Sequence, residues 1–416
     1  MTGGHKWAFK TKLRARAFGW RGSQTAAARL KEAVTEIKIV GKSNPLAAGE
    51  GALALIERLW PAFEQIDTSS GALGSAVNNA LGVLIPILIV APADPKTRAK
   101  WLERLYQAVL DDGVQYLFPV EQLWGEIAVY PELMNKYADL LTPSLQRVWS
   151  DSMPGGYLVG GTIGLSCLLE VGRYGDLLDL LATSRHRSWS DHWFGAEALA
   201  RQGLVDAAIA YADGCRDPKL RSYDERAIDR FCEALLLRSG RADDAYRRYG
   251  LRTGVGSTYL AIFRDTVRSY PGRDKRQLLL DLIQTRGDAG KWFAAAKDAG
   301  FLDIALECAR SMSAEPATLI RAVRDTVERE PEFAVQVALL ALRSLLAGGG
   351  YDPTVMELHA AVGHLMAVAR RIGRKDWAWE QLQAMVAEPC SPGREHMQTA
   401  LRAVLQSGIL APAAGN

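Results

Sequence analysis

Cysteine, catalytic motifs and long hydrophobic runs are scarce or missing in this 416-residue sequence. The five cysteines are widely spaced, and none forms a CxxC pair or a Cys/His set with metal-ligand spacing. We therefore expect no metal, no cofactor and a reducing, cytoplasmic location. No phosphate loop, dinucleotide fingerprint or HExxH motif occurs, so an enzyme is the less favoured class of protein.

The most apolar stretch, residues 81–93, is too short to cross a bilayer, which needs about 20 apolar residues. It also contains two prolines, which kink or end a helix. The stretch therefore predicts a buried core helix and no membrane span. Just before it, Asn78 and Asn79 place two amides side by side, which either satisfy helix ends or face a ligand in a groove.

Acidic residues are missing from the start of the chain, where the first is Glu32. Residues 1–50 contain ten Lys or Arg against three Glu, a local charge of +7 in a chain whose net charge is +3. Basic and aromatic side chains alternate here, as suits a phosphate backbone and stacked bases. A solvated surface that caps a helical array is the other interpretation. The candidate nucleic-acid residues are Lys6, Lys10, Lys12, Arg14, Arg16, Trp20 and Arg21.

A six-residue pattern, Gly-x-x-Asp-x-Ala, occurs four times, beginning at Gly203, Gly240, Gly300 and Gly373, and a looser copy begins at Gly172. Each copy follows one apolar helical run and opens another. Glycine takes the left-handed conformation that ends a helix, aspartate is placed to cap the next helix, and alanine lets the two helices approach closely. The uneven spacing of the copies predicts irregular helical hairpins.

These patterns predict an all-α protein, with an α-solenoid of irregular tetratricopeptide-like (TPR-like) hairpins behind an N-terminal helical block. Within the block, Asp94 followed by Pro95 predicts a helix start. A Gly/Pro cluster at 153–157 separates the block from the hairpins. We therefore expect the block with its basic start at 1–152, the hairpin array at 153–410 and a frayed tail at 411–416.

Several segments stand out beyond the repeated pattern, namely 223–232, 240–250, 258–264 and 291–300. Together with Gly-Trp-Arg-Gly-Ser at 19–23, they resemble a family of uncharacterised bacterial helical proteins known only as a domain of unknown function. The resemblance extends over most of the chain. It implies a bacterial α-solenoid, and it carries over no activity, ligand or site residue.

Like charges stack along one predicted helix, because Glu225, Asp229 and Glu233 are four residues apart. Arginines of the next hairpin can neutralise them, either as an interhelical ion-pair network that sets hairpin register or as a charged groove for an acidic or peptidic partner. We favour a non-enzymatic scaffold that holds a protein or peptide on its concave face, with nucleic-acid binding as the alternative. The candidate partner-binding residues are Arg230, Tyr246, Arg247, Arg248, Arg252, Tyr259, Arg264 and Lys291.

Overall fold

A computed structural model describes residues 5–150, 158–184, 188–216, 223–388, 393 and 395–407. Within these ranges the regular structure is helical and contains no β-strand, which confirms the all-α prediction. The chain divides into two compact units, Met1–Ile228 and Asp229–Asn416. The Gly/Pro cluster at 153–157 and the predicted tail at 411–416 both lie outside the described residues.

The described part of the first unit is built from helices of 4 to 20 residues. They are α1 (Phe9–Lys12), α2 (Ser23–Gly41), α3 (Pro45–Ile56), α4 (Leu59–Phe63), α5 (Ala72–Val90), α6 (Pro95–Leu110), α7 (Phe118–Gln122), α8 (Trp124–Ala128), α9 (Pro131–Ser150), α10 (Gly161–Glu170), α11 (Tyr174–Ala182), α12 (Trp189–Arg201) and α13 (Val205–Asp213). Helix α14 (Tyr223–Arg238) contains the division between the units.

The first unit is organised around one apolar core, in which α2, α3 and α5 pack against one another and α9 packs on α10. Side-chain hydrogen bonds cap the starts of α3 and α6. The Asn44 side chain accepts the N–H of Ala47 at the start of α3 (3.0 Å), and Asp94 accepts the N–H of Thr97 at the start of α6 (2.9 Å). The helix start predicted at Asp94 is therefore confirmed.

The second unit continues with shorter helices and two irregular turns. They are α15 (Ala242–Ala245), a π-helical turn (Tyr246–Gly250), α16 (Leu251–Thr253), α17 (Tyr259–Ser269), α18 (Lys275–Arg286), a 3-10 turn (Ala289–Trp292), α19 (Phe293–Asp298), α20 (Leu302–Ala309), α21 (Pro316–Thr326), α22 (Pro331–Leu346), α23 (Val355–Arg371), α24 (Lys375–Ala387) and α25 (Glu395–Gln406). Consecutive helices pack as neighbours at α19 with α20, α21 with α22, and α22 with α23.

The glycine of the repeated pattern ends a helix in all five copies, because each takes a positive φ between 68° and 80°. At Gly203 the N–H donates to Ala200 O (3.0 Å), and the next N–H, of Leu204, donates to Leu199 O (3.1 Å). This pair of bonds satisfies the last carbonyls of the helix, and it recurs in the other four copies. The alanine of each exact copy is fully buried, as a small residue between two packed helices would be.

The aspartate of the pattern does not cap the next helix, so that prediction is wrong. The residue after each glycine both closes the first helix and occupies the N-cap of the second, with no side-chain cap bond. Aspartate therefore falls on the second helical position, where the helix dipole stabilises its charge. Asp243 and Asp303 also form ion pairs, with Arg273 and Arg276 respectively.

Helix α5 is longer than the sequence predicts and passes through Pro86 without ending. Among the described helices, it alone is long and apolar enough to cross a membrane by length and composition. One face, including Val77, Leu81 and Leu84, lies in the core as predicted. The opposite side of this uncharged helix, including Gly82, Pro86 and Val90, is exposed.

Candidate functional site

Two of the predicted partner-binding arginines form ion pairs that link separate helices. Arg252 of α16 lies 3.4 Å from the Asp229 carboxylate of α14. Arg264 of α17 donates to both carboxylate oxygens of Asp298 at the end of α19, at 2.8 and 2.9 Å. These contacts match the interpretation in which the arginines set helix register within the second unit.

Three other predicted arginines lie near the π-helical turn or on α14. Arg247 pairs with Asp244 one helical turn away (2.5 Å), and the guanidinium of Arg248 lies 5.1 Å from the ring centroid of Tyr249. Arg230 is exposed on α14. Local pairs of this kind are exposed to solvent and contribute little to stability, at most about 1 kcal/mol each.

Tyr246, predicted to face a partner, is buried in the second unit and contributes to packing instead. Its hydroxyl donates to the Asp281 carboxylate (2.5 Å), and the Arg273 guanidinium lies 3.8 Å from the ring centroid. Tyr270 donates in the same way to Glu233 (2.6 Å). Burial raises the pKa of both tyrosines. The sequence gives no signal of this cluster, because each bonded pair is separated by 35 or more residues.

Tyr259 and Lys291 are brought together at one cavity of about 390 Å³. The Lys291 Nζ atom lies 5.9 Å from the Tyr259 ring centroid and 3.4 Å from the Asp288 carboxylate. The Tyr259 ring packs edge-on against fully buried Trp292, with 4.9 Å between centroids. Both predicted residues are therefore held by their neighbours while they line a recess open to a ligand.

Three segments of chain reach this cavity at or next to helix starts. Thr258 is the side-chain N-cap of α17, Gly290 lies in the 3-10 turn before α19, and Glu315 is the N-cap residue of α21. A Cβ atom at Gly290 would lie 2.1 Å from the Ala314 backbone nitrogen, so only glycine permits this close approach. The Gly290 N–H donates to the Ser313 hydroxyl (2.9 Å), which joins two walls of the cavity.

The cavity lining combines charged, hydroxyl and apolar groups. Lys291 supplies a positive charge and Glu315 a negative one. Hydroxyl and apolar side chains complete the lining, among them Ser257, Thr318, Leu260, Phe293 and Leu319. The sequence did not predict the contributions from 313–319, because that segment reaches the cavity only through the packing of α21.

The basic start of the chain buries its aromatic residues and exposes its cations. Trp7, Phe9 and Phe18 are buried in the core of the first unit, whereas Trp20 is 67% exposed. Only Phe9–Lys12 is helical in this segment. This arrangement resembles the predicted cap more than a continuous basic helix.

Two of the seven candidate nucleic-acid residues are paired with carboxylates. Lys12 donates to Glu32 (2.9 Å) and Arg16 to Glu64 (3.2 Å). The other four cations are exposed and form no ion pair within the described ranges. They are Lys6, Lys10, Arg14 and Arg21.

No group of three or more potential metal ligands occurs in the part of the chain that the structure describes. In comparisons with known proteins, no family model and no curated protein matches this sequence. The resemblance to a bacterial helical family therefore stays a prediction. The fold and the site together define an all-α protein with a recess of mixed polarity in its second unit.

Proposed function

We propose that this protein is a non-enzymatic binding scaffold that holds a peptide segment of a partner protein in the Tyr259–Lys291 cavity. The observation that supports the proposal is the mixed lining of that cavity. Its volume of about 390 Å³ is in the range of ligand-binding recesses. The bacterial source and the cytoplasmic location stay predictions from the sequence.

A peptide complements this lining better than a purely apolar or purely anionic ligand. Lys291 can bind a carboxylate or backbone carbonyl, and Glu315 can accept a backbone N–H. Leu260 and Ala294, which are only half-buried, can pack against an apolar side chain of the same peptide. An apolar ligand would desolvate the charged groups without pairing them, which costs free energy. An anion would meet Glu315 as well as Lys291.

The proposed architecture is a TPR-like α-solenoid. Its support is the repeated junction, in which one glycine-ended helix passes directly into the next in all five copies. Stacked hairpins of this kind expose long binding surfaces, and peptide recognition is a common use of them. Fold alone does not determine function, so the cavity chemistry carries the proposal.

Affinity capture with the full-length chain tests this proposal. We expect a partner that is recovered by the wild type and depleted by at least about tenfold with Lys291→Ala, because loss of a hydrogen bond to a charged group costs about 1.5–3 kcal/mol. Lys275→Ala is the matched control, since Lys275 is exposed in the same unit and lies outside the cavity lining. Equal recovery by all three proteins would contradict the proposal.

Nucleic-acid binding is the second candidate, and the four unpaired cations and the exposed Trp20 of the basic start favour it. Fluorescence anisotropy with labelled single- and double-stranded oligonucleotides tests it at low and moderate salt. Binding should weaken with salt by a slope of about −0.9 per phosphate contacted on duplex DNA. It should be lost when all four cations are replaced by alanine and retained in Lys12→Ala/Arg16→Ala. Absence of binding at low salt would remove this candidate.

A further inference from the structure

An open groove of about 580 Å³ runs between α2 and α5 in the first unit. Helix α5 contributes Ala76, Asn79, Ala80 and Val83, which recur at the spacing of one helical face. The stripe continues along α5 to Val90, which is 73% exposed. Helix α5 contains no charged residue, so this wall of the groove is apolar except for one amide.

The facing wall is formed by α2, and its length matches about three turns of a bound helix. Its lining extends from Ala27 to Lys38, about 16 Å at 1.5 Å per residue. Ala27, Ala28 and Val34 supply the apolar surface above buried Leu30, and the small alanines leave the groove open. The recess therefore has the dimensions and the polarity that an apolar stripe of a helix requires.

The charges that line this groove are both positive. Lys31 and Lys38 are exposed and form no ion pair within the described ranges. Neighbouring Glu32 on α2 is already paired with Lys12 and Arg29. A ligand that approaches the groove thus meets an apolar floor beside unpaired cations. Acidic groups on the ligand complement this pattern.

Asn79 adds a polar contact within the apolar floor. Its side-chain amide has no hydrogen-bond partner among the described residues, although it lines the groove. An amide can donate and accept at once, so it can bind a polar side chain that lies among the apolar residues of a partner. This location is the groove-facing alternative that the adjacent amides Asn78 and Asn79 suggest in the sequence.

We infer that this groove binds an amphipathic helix of a partner protein, with acidic residues flanking the apolar stripe of that helix. A helix about 10–12 Å across can enter a recess, whereas a membrane surface is flat and binds protruding apolar and aromatic side chains. No aromatic residue lines this groove. The inference does not depend on the peptide cavity in the second unit.

A displayed library of amphipathic helices, each about 18 residues or five turns long, tests this inference with the full-length chain. The library varies apolar residues along one stripe and offers Glu or Lys at each flanking position. We expect selection on the wild type to enrich Glu at the flanks. Selection on Lys31→Glu/Lys38→Glu should enrich Lys instead, because the charges beside the floor are reversed.

Two further variants make the result specific to the groove. Lys96→Glu/Lys100→Glu reverses the charge of two exposed positions on α6. Selection on this variant should still enrich Glu at the flanks, and the helices selected on the wild type should bind it with unchanged affinity. Val83→Glu places a negative charge in the floor of the groove. It should lower the affinity of the selected helices by at least about tenfold, since a buried unpaired charge costs more than about 1.4 kcal/mol.

Three outcomes would overturn the inference. One is that no helix is enriched, and another is that the flanking preference is the same in the charge-reversed variant. The third is that the surface serves a different occupant. Pelleting with phosphatidylcholine–phosphatidylglycerol vesicles, without helix selection, would assign it to lipid. Self-association that is lost in Lys31→Glu/Lys38→Glu would assign it to a second copy of the chain.

Discussion

Glu121 in the first unit and Asp229 in the second are both buried carboxylates, but their surroundings differ. Glu121 is 5% exposed, and its carboxylate has no hydrogen-bond partner in the described part of the chain. Burial, together with the charges of Asp112 and Asp191, raises the pKa of Glu121 to about 7. Asp229 is 7% exposed and lies 3.4 Å from the Arg252 guanidinium. The charge of Asp229 is therefore neutralised by a nearby arginine, whereas Glu121 has no such partner among the described residues.

The same difference extends to other polar atoms. In the first unit, Arg98 Nε, the Tyr116 hydroxyl and Trp124 Nε1 are buried without a hydrogen-bond partner. In the second unit, Trp292 Nε1 donates to a backbone carbonyl (3.0 Å), although Ser344 Oγ is unpartnered. Unpaired buried groups cost about 1–3 kcal/mol each. The first unit also contains paired buried groups, such as Glu197 with Arg201 (3.4 Å). The difference between the units therefore lies in how many buried polar atoms of the described residues have no partner.

Among the substitutions proposed, Glu121→Gln should give the largest change in the free energy of unfolding. The folded-state pKa lies above the value of 4.5 for an unperturbed carboxyl, so the wild type loses stability as pH rises from about 4.5 to about 7. The variant should therefore be more stable than the wild type by about 2–3 kcal/mol at pH 8 and similar to it at pH 4. Urea unfolding followed by circular dichroism measures both. Exposed Glu132→Gln is the control. An equal effect at both pH values would contradict the claim that ionisation of buried Glu121 destabilises the first unit.

Tyr270→Phe should destabilise the chain by about 2 kcal/mol, because it removes the hydroxyl that donates to Glu233. Tyr351 is fully exposed, so Tyr351→Phe should have no effect. A double-mutant cycle with Glu233→Gln measures the coupling between the two groups in urea unfolding. Additive effects would show that the pair does not act as a unit.

Gly240→Val should cost about 1–2 kcal/mol, since a residue with a Cβ is strained at a φ of 73°. Nothing lies within 4 Å of an added Cβ, so this expected cost reflects the strained backbone and no clash of that atom. Gly240→Asn should cost less, because asparagine tolerates the left-handed conformation. Gly74→Ala, within α5 of the first unit, should be neutral or stabilising. Thermal unfolding compares the three, and an unchanged melting temperature for Gly240→Val would remove the glycine argument.

The smallest expected effect is a difference in the free energy of unfolding between two tryptophan substitutions, one in each unit. Trp124 and Trp292 are both fully buried, so replacement by phenylalanine removes similar packing from each unit. Only Trp292 also loses a hydrogen bond. Trp292→Phe should therefore cost about 1 kcal/mol more than Trp124→Phe in urea unfolding. If Trp124→Phe cost more, the indole nitrogen of Trp124 would have a stabilising role that the structure does not explain.

The helix junctions were predictable because they depend on residues adjacent in sequence. A glycine that ends a helix needs only its own φ and the carbonyls one turn earlier. The aspartate cap was predicted wrongly because the second helix begins earlier in the sequence than expected. At Gly203 the following Leu204 already occupies the N-cap, so Asp206 lies inside the helix.

The candidate site was predictable only in part. Tyr259 and Lys291 are both among the predicted residues, and the structure brings them to one cavity. The burial of Tyr246 could not be predicted, because it depends on Asp281 and Arg273 from packed helices. Sequence patterns show which residue types are present on a helix, whereas tertiary packing decides which of them remain accessible.

Site-specific photo-crosslinking tests the peptide-binding proposal most directly. Tyr259 is replaced by a photoreactive phenylalanine analogue in the full-length chain, and the adduct formed in cells is mapped by mass spectrometry. The proposal predicts that position 259 crosslinks to one defined peptide segment, and that Lys291→Ala in the same protein abolishes the adduct. The same analogue at fully exposed Tyr351 should give no such adduct. Identical adducts at both positions, or none at 259, would contradict the proposal.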